Sequence, residues 1–420
     1  MRARWLCPVS RLAALTATIG AAVALAVAVA GCGGVGVSGA ASAIGNQLTI
    51  YSSLPLQGPS GAVSKQIVNG EKLALSETGG RVGAFKVSYI SLDDSNPSSG
   101  RWDPGVTETN AKTAAQDTTT IAYLGDYNSA ATAVSLPLIN AAGILQVSPA
   151  SPYVGLTSSL DAGQDEPERF YLSGRRNFGR LQPGDPAQAA AQVSLMRQMG
   201  VHKLYVLNDQ NPFEVPLAQI VAGDAERAGI TVAGDDGLDM TGGTLFTGEV
   251  EKVSESGAQA VFFAGGDEAG AVALWQQLHS ADPHLLLLGS STMASESFAA
   301  GIGGAGASTY LTTPVLATDL YPPSAARMLA DYRRVFGGEA GPYALYGYEA
   351  MSVVLDAIRR AGPHGNERQT VIDRFFAVKN RDSVLGRYSM EADGETTLSP
   401  YGVDRVANGR PVFYRAIAVR

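Results

Sequence analysis

Residues 120–151, TIAYLGDYNSAATAVSLPLINAAGILQVSPAS, indicate how the chain folds. An apolar run over 120–124 is followed by a helix-forming segment over 131–142 and by a second apolar run over 144–147. Two strands separated by one helix pair in parallel, because the helix carries the chain back to the edge where the first strand began. The stretch therefore predicts one β-α-β unit of a parallel, doubly wound sheet.

The same alternation occurs in two series and predicts two lobes. The first series begins at residue 47 and includes the quoted unit, and the second begins near residue 186. At 420 residues the chain exceeds what one hydrophobic core usually supports. The predicted fold class is therefore α/β, with a parallel doubly wound sheet in each lobe. The predicted strands of the second series are 203–207, 230–232, 260–263 and 285–288.

The final part of the chain departs from this alternation. Three helices are predicted over 324–336, 346–361 and 367–378, and a hairpin around Asn408-Gly409, a dipeptide that favours a two-residue turn. Neither part can form a core of its own, so we expect the helices to complete lobe one and the hairpin to complete lobe two. Several crossings side by side would form a hinge on which the lobes close. The predicted boundaries are 47–172 plus 314–385 for lobe one, and 173–313 plus 386–420 for lobe two.

Residues 1–31 predict an export signal. Three arginines precede an apolar run over 12–31 that contains no charge. The segment VAGC (29–32) resembles the bacterial lipobox, in which the signal is cut before a cysteine that receives lipid. We therefore expect lipid on Cys32 and a flexible tether over 32–46. The alternative is an uncleaved transmembrane anchor, since about twenty apolar residues span a bilayer.

Cysteine usage and charge exclude several classes of protein. Cys7 lies inside the predicted signal, so after cleavage only Cys32 remains and no disulfide forms within one chain. Loss of the three signal arginines leaves 28 basic residues against 39 acidic ones, a net charge of −11. No basic patch is visible in the sequence, so nucleic acid is not an expected partner.

Residues directly after the strands are the candidates for ligand binding, because ligands of parallel α/β sheets lie beyond the carboxyl ends of the strands. Asn128-Ser129 stands just before a predicted helix, where free backbone N–H groups and a hydroxyl form a seat for a carboxylate or phosphate. The alternative for Ser129 is a helix N-cap alone. Ser148 and Ser151, with the small Ala150 between them, would supply further donors from the next loop.

Lobe two would supply the opposite side of the site. Asp267, together with Glu268, follows a strand and is a candidate acceptor for an ammonium group. The alternative is a charge that only stabilises the start of a helix. Phe213, like Tyr127 and Tyr153, lies in one of these loops, where an aromatic ring either lines the cleft or packs in the interior.

Six short segments stand in an informative order: LPLQGP (54–59), NGEKLA (69–74), DD (93–94), GDYNS (125–129), GILQVSP (143–149) and GPYALYGYEA (341–350). Together they resemble the type I periplasmic binding-protein family, in particular its leucine/isoleucine/valine-binding branch, which feeds ABC importers. Each segment alone is weak, but the ordered set is specific and covers residues 47 to about 420. The family implies two lobes, three crossovers and ligand binding by closure.

The resemblance also implies site residues. The carboxylate-binding serine of the family falls on Ser129, its second carboxylate loop on Ala150-Ser151, and an aromatic wall on Phe213. The acidic residue that accepts the α-ammonium group falls near Ser291, which is not acidic, and a tyrosine falls at Gly266-Asp267. The carboxylate half is therefore kept and the ammonium half altered. This implies an amino acid or a related carboxylate or amide as ligand.

Catalysis is not expected, because the sequence contains no nucleophile elbow, zinc-binding helix or phosphate loop, and its four histidines are scattered. We expect no metal and no cofactor. The sequence predicts a solute-binding lipoprotein on the extracytoplasmic face of the cell membrane, which captures a small molecule and delivers it to an ABC permease. The alternative is a sensor subunit that uses the same closure to signal to a membrane partner; a hydrolase is a more distant one.

Overall fold

The computed structural model describes residues 42–240, 243–266 and 269–419. The predicted signal over 1–31, Cys32, Asp267 and Glu268 lie outside the described residues, as does most of the predicted tether. Among the residues that are described, no helix is long and apolar enough to cross a membrane. Signal cleavage and lipidation therefore stay predictions.

The predicted strands are all present. In chain order the strands of the described part are β1 (Gln47–Leu54), β2 (Arg81–Val82), β3 (Phe85–Asp93), β4 (Thr120–Leu124), β5 (Leu145–Ser148), β6 (Phe178–Arg180), β7 (Lys203–Asn208), β8 (Thr231–Gly237), β9 (Ala260–Ala264), β10 (Leu286–Gly289), β11 (Thr309–Thr313), β12 (Arg381–Asp382), β13 (Arg387–Tyr388), β14 (Pro400–Ala407) and β15 (Arg410–Ala418). The sequence missed β2, β6, β12 and β13, because runs of two or three residues show no alternation.

The predicted helices are also present. They are α1 (Gly61–Glu77), α2 (Pro104–Gln116), α3 (Ser129–Ala141), α4 (Asp185–Gln198), α5 (Val215–Arg227), α6 (Thr247–Ser256), α7 (Ala269–Ala281), α8 (Glu296–Gly301), α9 (Pro323–Phe336), α10 (Tyr343–Ala361) and α11 (Arg368–Phe376). The short α8 was not expected from the sequence. Helix α3 begins at Ser129 rather than at Ala131, which changes the role of Ser129 in the site.

Strands β1 to β6 form one sheet in the order β2-β3-β1-β4-β5-β6. Neighbours pair in parallel except at the β2–β3 edge. The chain adds a strand to one side of β1 and then continues on the other side, so the order reverses between β1 and β4. At such a reversal the loops that follow the two strands diverge and leave a crevice.

The second sheet has the order β15-β14-β11-β10-β9-β7-β8. Five neighbouring strands of this sheet pair in parallel, namely β11, β10, β9, β7 and β8. The β14–β15 hairpin adds antiparallel strands beyond β11. The order reverses between β7 and β9, which gives this sheet its own crevice. Asn408 and Gly409 have φ angles of 54° and 71°, as the two-residue turn predicted there requires.

Helices cover both faces of each sheet, which explains the apolar central strands. All residues of β4 and β9 are buried. Helices α1 and α10 pack backbone to backbone: a Cβ atom at Gly70 would stand 2.1 Å from the carbonyl oxygen of Ala344. In the same way, a Cβ atom at Gly347 would stand 2.1 Å from the carbonyl oxygen of Ile67. The late helices α9 to α11 share the core of the first sheet, where Phe375 is completely buried.

Sheet membership argues for a change in the predicted lobe boundaries. Strand β6 belongs to the first sheet, although the prediction assigns residues from 173 onward to lobe two. Leu398 also packs in the core of the first sheet, beyond the boundary predicted at 385. We therefore propose that the chain crosses between lobes near residues 181–184, 314–316 and 398–400.

The first and third of these crossings are joined by Arg180, whose side chain is completely buried. Its guanidinium group donates to the carbonyl oxygens of Ser151 and Tyr153, at 2.7 and 2.8 Å. It also donates to both carboxylate oxygens of Glu395, at 3.0 and 3.1 Å, and to the hydroxyl of Thr157, at 2.6 Å. Burial alone would raise the pKa of Glu395, but the charge of Arg180 and the hydrogen bonds from Arg180 and Thr157 together lower that pKa. Arg180 therefore ties the loop after β5 to both crossings.

Replacing Arg180 with methionine should lower the free energy of unfolding by about 3 kcal/mol, because the Glu395 carboxylate and two loop carbonyl groups lose their donor. Urea denaturation followed by circular dichroism measures the change. The matched control is Arg359→Met, which breaks an exposed ion pair with Asp356 and should cost at most about 1 kcal/mol. Equal losses in the two variants would show that Arg180 does not have this role.

Candidate ligand-binding site

A cavity of about 230 Å³ lies where the carboxyl ends of the two sheets face each other. Loops after β4 and β5 line it on the first-sheet side, and loops after β7, β9 and β10 line it on the second-sheet side. The loops after β7 and β9 flank the reversal in the second sheet, and the loop after β4 flanks the reversal in the first. A cavity of this size suits a small molecule rather than a peptide. The predicted site residues that line it are Asn128, Ser129, Ala150, Phe213 and Ser291.

Helix α3 begins at Ser129, so Asn128 rather than Ser129 occupies the N-cap position. This corrects the alternative in which Ser129 is only an N-cap. The Asn128 side chain makes no capping hydrogen bond, and its Oδ1 atom is buried without a partner among the described residues. The Ser129 hydroxyl accepts a hydrogen bond from the backbone N–H of Tyr153, at 3.2 Å, which leaves its own proton for a ligand.

The first turn of α3 leaves backbone N–H groups for an anion. Its first intrahelical hydrogen bond runs from the N–H of Thr132 to the carbonyl oxygen of Asn128. The N–H groups of Ser129, Ala130 and Ala131 precede that bond and have no acceptor in the part of the chain that the structure describes. The turn contains no acidic side chain that would compete for them. Because Ser129 and Ala130 line the cavity, these donors suit a carboxylate or a phosphate there.

Ser148 and Ser151 lie behind this turn rather than at the cavity surface. Both side chains are completely buried, and both donate to the carbonyl oxygen of Asp126, at 2.7 and 3.0 Å. Ser148 also accepts the N–H of Ala150, which does reach the cavity. The structure therefore corrects the expectation that these two hydroxyls face a ligand, because they are used to hold the loop before α3 in place.

Two buried carboxyl groups, Asp94 and Asp126, interact beneath the same loop. Burial raises the pKa of Asp126 to about 7, although hydrogen bonds from Ser135 and Tyr123 oppose the rise. Burial and the neighbouring charge of Asp126 raise the pKa of Asp94 to about 8. Ser53 donates to one Asp94 oxygen, at 3.3 Å, and the other oxygen has no partner among the described residues. Asp94 is therefore mostly uncharged at neutral pH.

The second-sheet side of the cavity carries an acidic wall, formed by Asp185, Asp209 and Glu214. No lysine, arginine or histidine of the described residues lines the cavity. Burial raises the pKa of Asp185 to about 7, although the charge of Arg180 opposes the rise. Burial, together with the charges of Asp185 and Asp209, raises the pKa of Glu214 well above its ordinary value. The wall is therefore electrostatically unfavourable as long as nothing positive lies against it.

Backbone N–H groups fix two of the three carboxyl groups of the acidic wall. Asp185 accepts the N–H of Val154, at 2.9 Å. Asp209 accepts the N–H groups of Asn211 and Gly266, at 2.9 and 3.1 Å. In the described ranges no group of three or more histidine, cysteine, aspartate or glutamate side chains could hold a metal ion.

Aromatic rings pack across the cleft and also line it. Tyr153, after β5, and Phe213, after β7, meet edge to face with ring centroids 5.0 Å apart. Tyr127 and Tyr343, which both pack on the first-sheet side, make a second edge-to-face contact, with centroids 6.0 Å apart. All four rings line the cavity, so these aromatic residues both line the cleft and pack against one another.

Ser291 reaches the cavity, but its hydroxyl proton is already used. It donates to Oε1 of Gln188, at 3.2 Å, and the same atom accepts the hydroxyl proton of Tyr401, at 3.1 Å. Gln188 in turn donates through Nε2 to the hydroxyl of Thr312, at 2.9 Å. Ser291 therefore belongs to a hydrogen-bonded group at the base of the cleft, which joins α4 to the second sheet.

The sequence missed Asp185, Glu214 and Tyr343 as lining residues. Asp185 follows β6, and without that strand no loop at the sheet edge is expected there. Glu214 lies at the far end of the loop after β7, next to α5, so a search of whole loops rather than of strand ends would have found it. Tyr343 opens α10, and nothing in its segment indicates a contact with the cleft.

The family model described as periplasmic binding protein matches residues 48–410. The chain belongs to the periplasmic binding protein family. This confirms the resemblance seen in the sequence and, with it, the two-lobed fold of two doubly wound sheets. Proteins of this family bind solutes outside the cytoplasm and are not enzymes, as predicted. A comparison with curated proteins gave no match.

Solved structures share the fold of this periplasmic binding protein. A leucine-binding protein from Thermotoga maritima has a TM-score of 0.73 and 20% identity, and covers 88% of this chain and 99% of its own. A branched-chain amino acid binding protein from Streptococcus pneumoniae, in complex with isoleucine, has a TM-score of 0.69 and 17% identity, with 89% and 99% covered. An ABC-transporter solute-binding protein from R. palustris, in complex with benzoate, has a TM-score of 0.68 and 15% identity, with 89% and 98% covered. At these identities the likeness establishes the fold and leaves the ligand open.

Replacing Asp94 with asparagine should stabilise the protein increasingly as the pH rises. The pKa of this carboxyl group is near 3.8 in an unfolded chain and about 8 in the folded protein, so the free energy of unfolding of the wild type falls as the pH rises between these values. The asparagine variant does not ionise, so its free energy of unfolding should rise relative to that of the wild type across this window, by at most roughly 1.4 kcal/mol for each pKa unit. Urea unfolding at several pH values measures the gain, with the exposed Asp319→Asn as control. A difference that does not change with pH would contradict the raised pKa.

Proposed function

We propose that this periplasmic binding protein captures a small amino acid, or a related carboxylate or amide, by lobe closure and delivers it to an ABC importer. Membership of the family supports the general role. The solved structures of the same fold are named for leucine or hold isoleucine or benzoate, and each of these compounds carries a carboxylate group. A carboxylate on the ligand is therefore the first feature to account for in the cleft.

The open first turn of α3 is the observation that carries the proposal. Its N–H groups and the hydroxyl proton of Ser129 are available at the cavity, and no acidic side chain of the turn competes for them. The partial positive charge at a helix N-terminus, together with converging donors, favours a carboxylate over a neutral group. The buried Oδ1 atom of Asn128 adds an acceptor for a donor on the ligand.

Closure of the lobes is the proposed means of capture. Tyr153 and Phe213 follow strands of different sheets, so their edge-to-face contact spans the cleft. The chain passes between the sheets at neighbouring segments, and Arg180 bonds two of these segments to each other. Rotation about the crossings would part the two rings and admit a ligand while both sheets stay intact.

Delivery to a permease is favoured over signalling to a sensor partner. Both functions use the same closure, so the cleft alone does not distinguish them. The structure with benzoate is that of a solute-binding protein of an ABC transporter, which supports transport for this chain as well. We further propose that the protein is held at the extracytoplasmic face of the membrane by lipid on Cys32, since small residues stand directly before that cysteine.

A thermal-shift screen of the purified protein against amino acids, carboxylates and amides should identify one class that raises the melting temperature, because a ligand that binds the folded state stabilises it. Ser129→Ala should weaken binding of that class about tenfold, through loss of one hydrogen bond to a charged group. Isothermal titration calorimetry gives the affinities.

The control for Ser129→Ala is Thr113→Ala, which removes an exposed hydroxyl from α2 and should leave the affinity unchanged. If no compound of the three classes stabilises the protein, the proposed binding function fails. If Ser129→Ala binds as tightly as the control, the carboxylate does not sit at the start of α3.

Replacing Cys32 with alanine should abolish lipidation and cleavage of the signal, because the residue that receives the lipid is lost. Mass spectrometry of the membrane fraction measures the lipid mass and shows whether residues 1–31 have been removed. The matched control is Cys7→Ala, which keeps the lipid acceptor and should stay lipidated and cleaved. A membrane-bound wild type that carries residues 1–31 and no lipid would favour the uncleaved anchor instead.

A further inference from the structure

We infer that the ligand carries an ammonium or guanidinium group held by the acidic wall of Asp185, Asp209 and Glu214, and that its class is the basic amino acids. The inference rests on the proposed function, since it specifies the ligand of the same cleft. It differs from the expectation that the ammonium half of the site is simply altered. The position near Ser291 lacks an acid, but acidic side chains from other segments line the same cavity.

Charge balance is the first argument. Three carboxyl groups line one small cavity, and no basic side chain among the described residues lines it with them. Carboxylates that share a site repel one another, and burial adds the cost of desolvation. Arg180 is close enough to Asp185 to influence it, but its donors already bond Glu395 and the loop after β5. A cation on the ligand removes the repulsion, whereas a ligand that is only an anion adds to it.

The acidic wall is also built from separate segments that converge. Asp185 is the first residue of α4, next to the first crossing, whereas Asp209 and Glu214 belong to the connection between β7 and α5. Backbone N–H groups fix two of these carboxyl groups in place: that of Val154 bonds Asp185, and those of Asn211 and Gly266 bond Asp209. The acceptors for a ligand cation are therefore positioned by the fold before the ligand arrives.

Aromatic rings at the same cavity are the second, independent argument. Tyr127, Tyr153, Phe213 and Tyr343 all line it. The face of an aromatic ring attracts a cation within about 6 Å, and the attraction grows when water is excluded. Carboxyl groups and aromatic rings around one cavity together favour a positively charged group over a neutral or negative one.

The two sides of the cleft together define the class of ligand. The start of α3 suits a carboxylate and the acidic wall suits a cation, so a compound with both groups can use both sides. Leucine brings one positive charge to three carboxyl groups, whereas a basic amino acid brings two. The cavity volume of about 230 Å³ fits one such small molecule rather than a peptide.

Binding of a basic amino acid should release protons. Burial raises the pKa of Asp185 to about 7, so this group is mostly protonated in mildly acidic solution, and the pKa of Glu214 is raised as well. A ligand cation binds the ionised form, so affinity should rise as the pH increases through about 7 and Asp185 loses its proton. The charged, titratable and hydroxyl groups that face the two carboxyls are Arg180, Glu395, Asp209, Tyr401, Ser290 and Thr292.

The test uses four probes: L-ornithine, L-arginine, L-leucine and benzoate. Thermal shift and calorimetry are run on the wild type and on Glu214→Gln. The matched control is Glu226→Gln, because Glu226 is an exposed residue of α5, the helix that follows Glu214, and its replacement also exchanges a carboxylate for an amide. At least one basic amino acid should raise the melting temperature. Its affinity should fall at least tenfold in Glu214→Gln and change less than twofold in Glu226→Gln.

The outcomes separate this inference from the proposed function. Stabilisation by leucine or benzoate without either basic amino acid overturns the inference and keeps the binding function. Stabilisation by none of the probes also overturns it, and the wider screen of compounds then decides the function. Equal affinities in Glu214→Gln and Glu226→Gln overturn it as well. Should Glu214→Gln not fold, calorimetry of the wild type in buffers of different ionisation enthalpy decides, since binding without proton release contradicts the role of the acidic wall.

Discussion

Burial of both faces of two parallel sheets is the constraint on which the rest of the structure depends. Helices cover each sheet, so the central strands are apolar and the polar groups that can meet a ligand lie in the loops at the strand ends. The strand order reverses between β1 and β4 in one sheet and between β7 and β9 in the other. Each reversal opens a crevice, and the two crevices face each other. The cleft is therefore a consequence of chain topology before any side chain contributes to it.

The two walls of the cleft differ in how they are prepared for a ligand. On the first-sheet side, hydrogen bonds from Ser148 and Ser151 to Asp126 hold the loop before α3, so the free N–H groups of the helix are positioned in advance. These are backbone donors, which suit any carboxylate. On the second-sheet side, Asp185 and Glu214 are side chains, and the charge of Asp185 raises the pKa of Glu214. Specificity within a shared fold is therefore expected to come from this second wall.

Much of the fold could be predicted from periodicity, because helices and most strands are local features. The two series of strands and helices, and the Asn408-Gly409 turn, follow from residue patterns that do not depend on distant contacts. Strand β6 could not be predicted, since its three residues form a strand only because β5 lies beside them. Its absence from the prediction left the loop between β6 and α4 out of the candidate site and displaced the first lobe boundary. Leu398, at the third crossing, could not be assigned from the sequence either, because only its packing shows that it belongs to the core of the first sheet.

The sequence by itself indicated several of the loops that reach the cleft, those after β4, β5, β7 and β10, because chain order and strand position settle where each loop emerges. Asn128 and Ser129 were found in this way. It did not determine side-chain direction: Ser148 and Ser151 are in an expected loop but turn inward to a carbonyl group. Only the tertiary structure decided that Asp185 and Glu214, from different segments, share one wall. The physical reason is that hydrogen bonding and charge proximity depend on distances between segments, which are set when the two sheets pack and the crossings join them.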